Sequence, residues 1–249
     1  MAFLKNLTEA ATPEYNVNPS LPEKESAAEQ DSLRIVIGIM GFLLPIILWA
    51  GLWSVSGYNH TLESISHYYY TRVNTAFSVT IGILAIFLII YKGKKKIDFI
   101  LSATAGVFAL FVIFFPTTNL SPICSHPDYK YAITFINPDD IYSVFHFVSA
   151  GIFLVCLALI ALFRFPKDDS SNEKPSQLDK FMYRACGIVM LVSLLVTAMG
   201  NFGIILNEKY FEYPYSGTFW GETVAVWAFG YSWLLKAGFF KKSRDFLFR

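Results

Sequence analysis

The stretch RIVIGIMGFLLPIILWAGLWSVS, residues 34–56, decides the fold class because it stays apolar over a length that matches a lipid bilayer. A helix needs about 20 mostly apolar residues to cross a hydrocarbon layer of about 30 Å, where every backbone polar group must be bonded within the protein. Pro45 lies in the middle of the stretch and should kink the helix locally. The stretch therefore predicts a first transmembrane helix.

Five further apolar runs pass the same test. They predict helices over 73–91, 97–116, 141–164, 183–206 and 217–236. The chain of 249 residues is 54% hydrophobic and only 16% charged, which lies outside the range of ordinary soluble domains. The predicted fold is therefore all-α, a polytopic membrane bundle of six transmembrane helices.

Lysine and arginine residues concentrate on one side of these six spans. Seventeen of the 20 lie in the two tails and in the loops after the second and fourth helices, and only Arg72, Lys130 and Lys209 lie opposite. The positive-inside rule then places both termini in the cytoplasm. We expect a multi-pass protein of the inner (plasma) membrane. We expect a flexible polar tail over 1–32, a transmembrane domain over 33–238 and a basic cytoplasmic tail over 239–249. We expect no removable signal peptide.

Charge and cysteine content limit the partners. The net charge of +1 comes without a basic face, so no nucleic acid is expected, and membrane lipid is the expected partner. Three cysteines do not make a disulfide framework. We expect Cys156 and Cys186 to be buried thiols, and Cys124 to be free or paired only between molecules. The sequence leaves the oligomeric state open.

Small residues predict where helices approach closely. Gly38 with Gly41, and Gly200 with Gly203, are expected contact points. A further row of small residues follows the last helix at spacings of three and four, over Gly221, Ala225, Ala228 and Ser232. These residues indicate helix packing and carry no chemistry of their own.

The segment LESISHYYYTRVN, residues 62–74, joins the first two spans and is unusually rich in polar groups. Three adjacent tyrosines before a span are typical of the aromatic belt at a membrane interface. The belt does not account for Ser64, Ser66 and His67. These three residues are therefore candidates for ligand binding on the outer side.

Three polar residues inside the spans reach a common depth. His146, Asn201 and Glu222 each lie about five residues from an outer helix end, or roughly 7 to 9 Å deep. An ionisable side chain there costs at least about 2.5 kcal/mol and is a functional candidate. The prediction is that His146 and Glu222 face each other across a cavity lined by 62–74. Structural alternatives are an interhelical role for Asn201, a backbone carbonyl partner for His146 and headgroup water for Glu222.

Four motifs carry a resemblance to a known family. SISHYYYTRVNTAF, FPTT, VFHFVSAGIFL and GETVAVWAFGYSWLLKAG resemble uncharacterised bacterial six-helix membrane proteins with a domain of unknown function. The chain is also distantly similar to the damage-regulated autophagy modulator, Frag and Sfk-type family, some of whose relatives act in remodelling of lipid anchors. The resemblance implies a shared polar set at Ser64, His67, His146 and Glu222.

A second resemblance is to transmembrane hydrolases that include alkaline ceramidases and progestin/adiponectin-type receptors, which hold zinc. Here Ser64 and His67 are three residues apart, and the last predicted helix has Glu222 but no histidine. Catalytic zinc needs three protein ligands and an open position. The metal hypothesis assigns them to His67, His146 and Glu222, with Asp139 or Asp140 as a supporting carboxylate.

Three functions fit these residues. The favoured one is the binding or handling of a lipid or small amphiphile by Ser64, Ser66, His67, His146, Asn201 and Glu222 near the outer leaflet. The alternatives are a metal-dependent lipid hydrolase and an accessory or sensor protein that acts through partners. A coupled transporter is disfavoured because the sequence shows no inverted repeat. Catalytic residues cannot be assigned from the sequence.

Overall fold

A computed structural model describes residues 23–93, 95–117, 140–167, 175–204, 210 and 215–240. Within these ranges the chain forms six long helices: α1 (Glu23–Ser56), α2 (Asn74–Ile90), α3 (Lys96–Phe114), α4 (Asp140–Leu159), α5 (Gln177–Asn201) and α6 (Gly217–Lys236). A π-helix (Ile160–Arg164) and a 3-10 turn (Phe165–Lys167) extend α4. The described residues contain no β-strand, so the all-α prediction is confirmed.

Four of these helical segments are long and apolar enough to cross a membrane: Ala28–Ser56, Lys96–Phe114, Ile141–Lys167 and Gln177–Asn201. Helix α2 is apolar but has only 17 residues. Helix α6 has 20 residues, and its apolar character is diluted by Glu222, three tryptophans and several small residues. The described structure thus supports a membrane protein with four candidate spans.

Two helices begin earlier than their apolar runs. Helix α1 starts at Glu23, so the predicted tail boundary at residue 32 falls inside a helix. Helix α5 starts at Gln177, where Ser176 Oγ accepts the Asp179 N–H at 3.1 Å and Asp179 Oδ2 accepts the Ser176 N–H at 2.9 Å. This reciprocal cap stabilises a polar first turn that an apolarity test does not detect. The remaining parts of the two predicted tails, 1–22 and 241–249, lie outside the described residues.

The six helices form a closed ring. Each packs against its neighbours in chain order, and α1 also packs against α6. The ring closes where α1 and α6 meet at Gly38 and Gly230: a Cβ at Gly230 would lie 2.7 Å from the Gly38 carbonyl oxygen, and a Cβ at Gly41 would overlap the Phe229 ring. The predicted close approach at Gly38 and Gly41 is confirmed, and α6 is the helix that fills it.

The distribution of side chains fits an apolar solvent. Large apolar side chains face outward, among them Phe114 (66% exposed), Leu195 (58%) and Ile86 (54%). Inside the bundle, Ser102, Ser149 and Ser232 are fully buried. An outer surface this apolar is rare in soluble monomers and common in proteins that face lipid. Cys156 and Cys186 are buried free thiols, as predicted, and Cys124 lies outside the described residues.

Charged side chains are buried at one end of the bundle, where α1 begins and α6 ends; we call it the tail end. Arg34 is 1% exposed, donates to Tyr91 Oη at 3.0 Å and pairs with Asp31 at 2.9 Å. Arg164, in the π-helix, pairs with Asp98 at the start of α3. Lys236 donates to the Phe165 carbonyl at 3.3 Å. Tyr91 and Phe165, the partners of Arg34 and Lys236, pack together with Phe229 on the buried ring of Trp233.

Candidate functional site

At the opposite end, the linker (residues 57–73 between α1 and α2) packs into the bundle. We call this the linker end. Ser64, Ser66, Tyr68, Tyr70 and Thr71 in the linker are each at most 8% exposed. Ser66–Tyr70 forms a 3-10 helix, and Thr71 Oγ1 donates to the Tyr68 carbonyl at 2.8 Å. A buried connection needs partners for its backbone and hydroxyl groups, since unpaired buried polar groups are costly.

His146 on α4 supplies one of these partners. Its Nε2 lies 2.9 Å from Ser66 Oγ, and its Nδ1 lies 2.8 Å from the carbonyl oxygen of Phe115, just after α3. A carbonyl only accepts, so Nδ1 carries a proton and Nε2 of the neutral ring accepts from the Ser66 hydroxyl. The side chain is 2% exposed. His146 therefore joins three elements: the linker, the end of α3 and α4.

Helix α6 supplies the other partners. Glu222 Oε2 accepts the backbone N–H of Ile65 at 2.7 Å, and the Phe219 N–H donates to the Glu63 carbonyl at 2.8 Å. Ser216 Oγ donates to the Thr61 carbonyl at 3.2 Å. Ser216 has φ +53°, in the left-handed region that favours glycine, and it is fully buried. The first turns of α6 thus hold the linker at three points.

In the described structure, His146 and Glu222 each bond to the linker instead of forming the predicted direct pair. The two side chains bind consecutive linker residues, His146 through Ser66 and Glu222 through Ile65. The sequence correctly placed both at the level of the linker. Their partners differ from the prediction because a backbone N–H and a hydroxyl satisfy them separately.

His67 and Ser64 interact within their own turn. Ser64 Oγ lies 2.8 Å from His67 Nδ1 and accepts the His67 backbone N–H at 3.3 Å. His67 Nε2 lies 3.8 Å from Glu63 Oε2. These contacts stabilise the start of the 3-10 helix, as local side-chain bonds commonly do in turns.

The zinc hypothesis gains no support from this arrangement. Among the described residues, no three His, Cys, Asp or Glu side chains are grouped so as to hold a metal ion. The proposed ligands His67, His146 and Glu222 have the separate partners given above. Asp139 and the side chain of Asp140 lie outside the described part of the chain. Zinc binding stays an untested prediction.

Asn201 joins two helices. Its Nδ2 donates to the Thr197 carbonyl at 2.9 Å, and its Oδ1 accepts from Thr218 Oγ1 at 3.0 Å. The bond to Thr218 ties the end of α5 to the start of α6. This geometry matches the structural alternative for Asn201, an interhelical hydrogen bond.

Two tyrosines of the linker, Tyr68 and Tyr70, are buried. The Tyr70 hydroxyl donates to the Thr117 carbonyl beyond α3. Burial, with a smaller contribution from Tyr69, raises the pKa of Tyr70 to about 12. Burial also raises the pKa of Tyr68, against a smaller opposing effect from the Leu62 backbone. Both phenols are therefore neutral at physiological pH.

A groove of about 440 Å³ opens between α1 and α6 beside the linker. We call it the α1–α6 groove. Its size falls within the roughly 300 to 1,000 Å³ of small-molecule sites. The described residues that line it come from α1 (Pro45, Ile46, Trp49), the linker (Asn59, His60, Thr61) and α6 (Phe219, Trp220, Thr223, Trp227).

Indole groups fix the walls of this groove. Trp49 Nε1 donates to the Asn59 carbonyl at 3.2 Å, and Trp227 Nε1 donates to the Phe42 carbonyl at 3.0 Å while its ring stacks on Phe42. Pro45 lacks an N–H, so the carbonyl of Gly41, four residues earlier, has no helical donor. Phe42 is the next residue along the helix. The tryptophans therefore form walls held by hydrogen bonds, with polar linker residues at one edge.

None of the six residues predicted to bind ligand lines this groove. Ser64, Ser66, His67, His146, Asn201 and Glu222 hold the linker or join helices, and ligand binding by them stays a prediction. The groove residues were missed because tryptophan near a membrane interface is ordinary. One feature of the sequence could have predicted the groove. Pro45, which alters the local helix, lies at the same depth as tryptophans on the first and last helices.

Comparison of the chain with models of known protein families, with curated proteins and with solved structures gives no match. The two family resemblances therefore stay predictions, and the functional argument rests on the geometry of the chain.

Proposed function

We propose that this chain is a multi-pass protein of the inner (plasma) membrane that binds a lipid or small amphiphile in the α1–α6 groove. All six helices cross the bilayer in this proposal, with both termini in the cytoplasm and the linker end outside. Four apolar helices, an apolar outer surface and the 17-to-3 distribution of basic residues support it.

The observation that carries the proposal is the composition of the groove. Three tryptophans form apolar walls, while Asn59, His60 and Thr61 provide polar groups at one edge only. This arrangement matches a ligand with an apolar body and a polar head. The groove also lies on the outward surface of two adjacent helices, where Ile46 is 40% exposed and Trp220 is 51% exposed. A lipid can therefore enter sideways from the bilayer.

Filling the groove tests the binding function. In Ile46→Trp the larger ring occupies part of the groove, and we expect about a tenfold loss of amphiphile that remains bound after mild detergent extraction. The measurement is native mass spectrometry of the full chain. Ile83→Trp is the matched control, since Ile83 on α2 is also 40% exposed and lies outside the groove. Equal retention by the two variants, or no bound amphiphile on the wild type, contradicts the proposal.

Labelling at the two ends tests the orientation. His60 in the linker and Lys95 before α3 are both exposed. In a background without native cysteines, an impermeant maleimide added to intact cells should label His60→Cys and leave Lys95→Cys unlabelled until the membrane is opened. Labelling of both positions in intact cells contradicts the topology.

A further inference from the structure

The α1–α6 groove has a distinctive electrostatic character. None of its ten lining residues is Asp, Glu, Lys or Arg. Among the described residues, Glu222 precedes the lining residue Thr223, and the Glu63 backbone carbonyl accepts the Phe219 N–H. The described lining of the groove therefore carries no Lys or Arg.

The absence of Lys and Arg from the described lining disfavours the binding of a phosphate group. A phosphate group that binds to a protein is commonly held by Arg or Lys, which donate charge-assisted hydrogen bonds to it. The described lining of the groove offers neither side chain. Phospholipids of every type carry this group, including those with no net charge.

The polar edge suits uncharged hydroxyl groups instead. The backbone carbonyls of Asn59 and Thr61 are bound by Trp49 and Ser216. The side chains of Asn59 and Thr61 have no hydrogen-bond partner in the described structure, and Asn59 and His60 are exposed. An amide, an imidazole and a hydroxyl can each donate to or accept from a ligand hydroxyl.

We propose, on the premise that the groove binds an amphiphile, that its ligand is a lipid with a hydroxyl-bearing, phosphate-free head group, of the chemical class of diacylglycerol. The head group lies at Asn59, His60 and Thr61. One acyl chain follows the groove past Trp220 towards Ile46 and Trp227.

Two lipids that differ only in phosphate test this proposal. Diacylglycerol and phosphatidic acid with the same brominated acyl chains are added separately to the purified full chain in an uncharged detergent. Bromine quenches tryptophan fluorescence on contact, and Trp49, Trp220 and Trp227 line the groove. We expect half-maximal quenching by diacylglycerol at about a tenfold lower concentration than by phosphatidic acid, which corresponds to about 1.4 kcal/mol.

Other outcomes separate the two proposals. Equal or tighter binding of phosphatidic acid, or of brominated phosphatidylcholine, overturns the phosphate-free assignment and leaves amphiphile binding intact. Saturable quenching by none of these lipids overturns both.

A charge placed at the polar edge sharpens the test. In Asn59→Lys an ammonium group reaches the head-group position while the backbone carbonyl that binds Trp49 is kept. Phosphatidic acid should then bind about tenfold more tightly than to the wild type, because the ammonium group pairs with the phosphate. Ser54→Lys, an exposed position on α1 outside the groove, should leave the affinity for phosphatidic acid unchanged. The same gain in both lysine variants shows a nonspecific surface effect and overturns the assignment.

Discussion

The two ends of the bundle hold their buried polar groups by different means. At the tail end, Arg34 and Arg164 are paired with Asp31 and Asp98. At the linker end, His146 and Glu222 make hydrogen bonds to a hydroxyl and to a backbone N–H. Removing one member of a buried ion pair leaves a charge without compensation, whereas removing a neutral hydrogen bond costs less. We therefore expect polar groups at the tail end to contribute most to the free energy of unfolding. The polar groups at the linker end mainly position the linker.

The largest expected effect is at Asp98. Asp98→Ala removes the partner of Arg164 and the acceptor of the Lys95 N–H, 2.9 Å away at the start of α3. We expect a loss of about 3 kcal/mol in the free energy of unfolding, measured by SDS titration in mixed micelles.

Asp179→Ala is the matched control for this experiment. Asp179 occupies the equivalent position in the first turn of α5, and its carboxylate accepts from the backbone N–H and the hydroxyl of Ser176. Loss of a cap alone costs about 1 kcal/mol. Equal losses in the two variants would show that the ion pair adds nothing to the cap.

A smaller effect is expected at the linker end. His146→Leu leaves Ser66 Oγ and the Phe115 carbonyl without their partner, at a cost of about 2 kcal/mol. Backbone amides of the linker should also exchange hydrogen faster, which exchange mass spectrometry detects. His67→Leu, which removes contacts within a single turn, should cost about 0.5 kcal/mol. If His67→Leu is less stable than His146→Leu, then His146 is not the histidine that contributes more to stability at the linker end.

The smallest effect is expected at Glu222. Glu222→Gln keeps a side-chain oxygen that can accept the Ile65 N–H, so stability should change by less than about 0.5 kcal/mol. Glu222→Leu removes the acceptor and should cost about 1 kcal/mol. The same SDS titration measures both. If Glu222→Gln lowers the free energy of unfolding as much as Glu222→Leu, the negative charge of Glu222 contributes to stability. The linker end would then depend on charge, as the tail end does.

Apolar runs predicted the six helices well because burial in lipid or in the bundle demands apolar side chains over a helical length. They failed at the first turns of α1 and α5, where capping and charge replace apolarity. That His146 and Glu222 both lie at the level of the linker followed from counting residues along their helices. Their partners did not, because a backbone N–H such as that of Ile65 leaves no trace in the sequence. The α1–α6 groove depends on how two helices and the linker pack together, which residue types alone do not encode.

The closure of the ring by α1 and α6 has a consequence for biosynthesis. The linker leaves the ribosome long before its partners on α6, which follow Ile65 by 157 residues in the case of Glu222. At about 5 to 20 residues per second, this interval lasts about 10 to 30 s. His146 emerges earlier, 80 residues after Ser66, so the nascent linker can first be held by α4 alone. The α1–α6 groove comes into existence only when the last helix has been made, and a chain arrested before α6 lacks it.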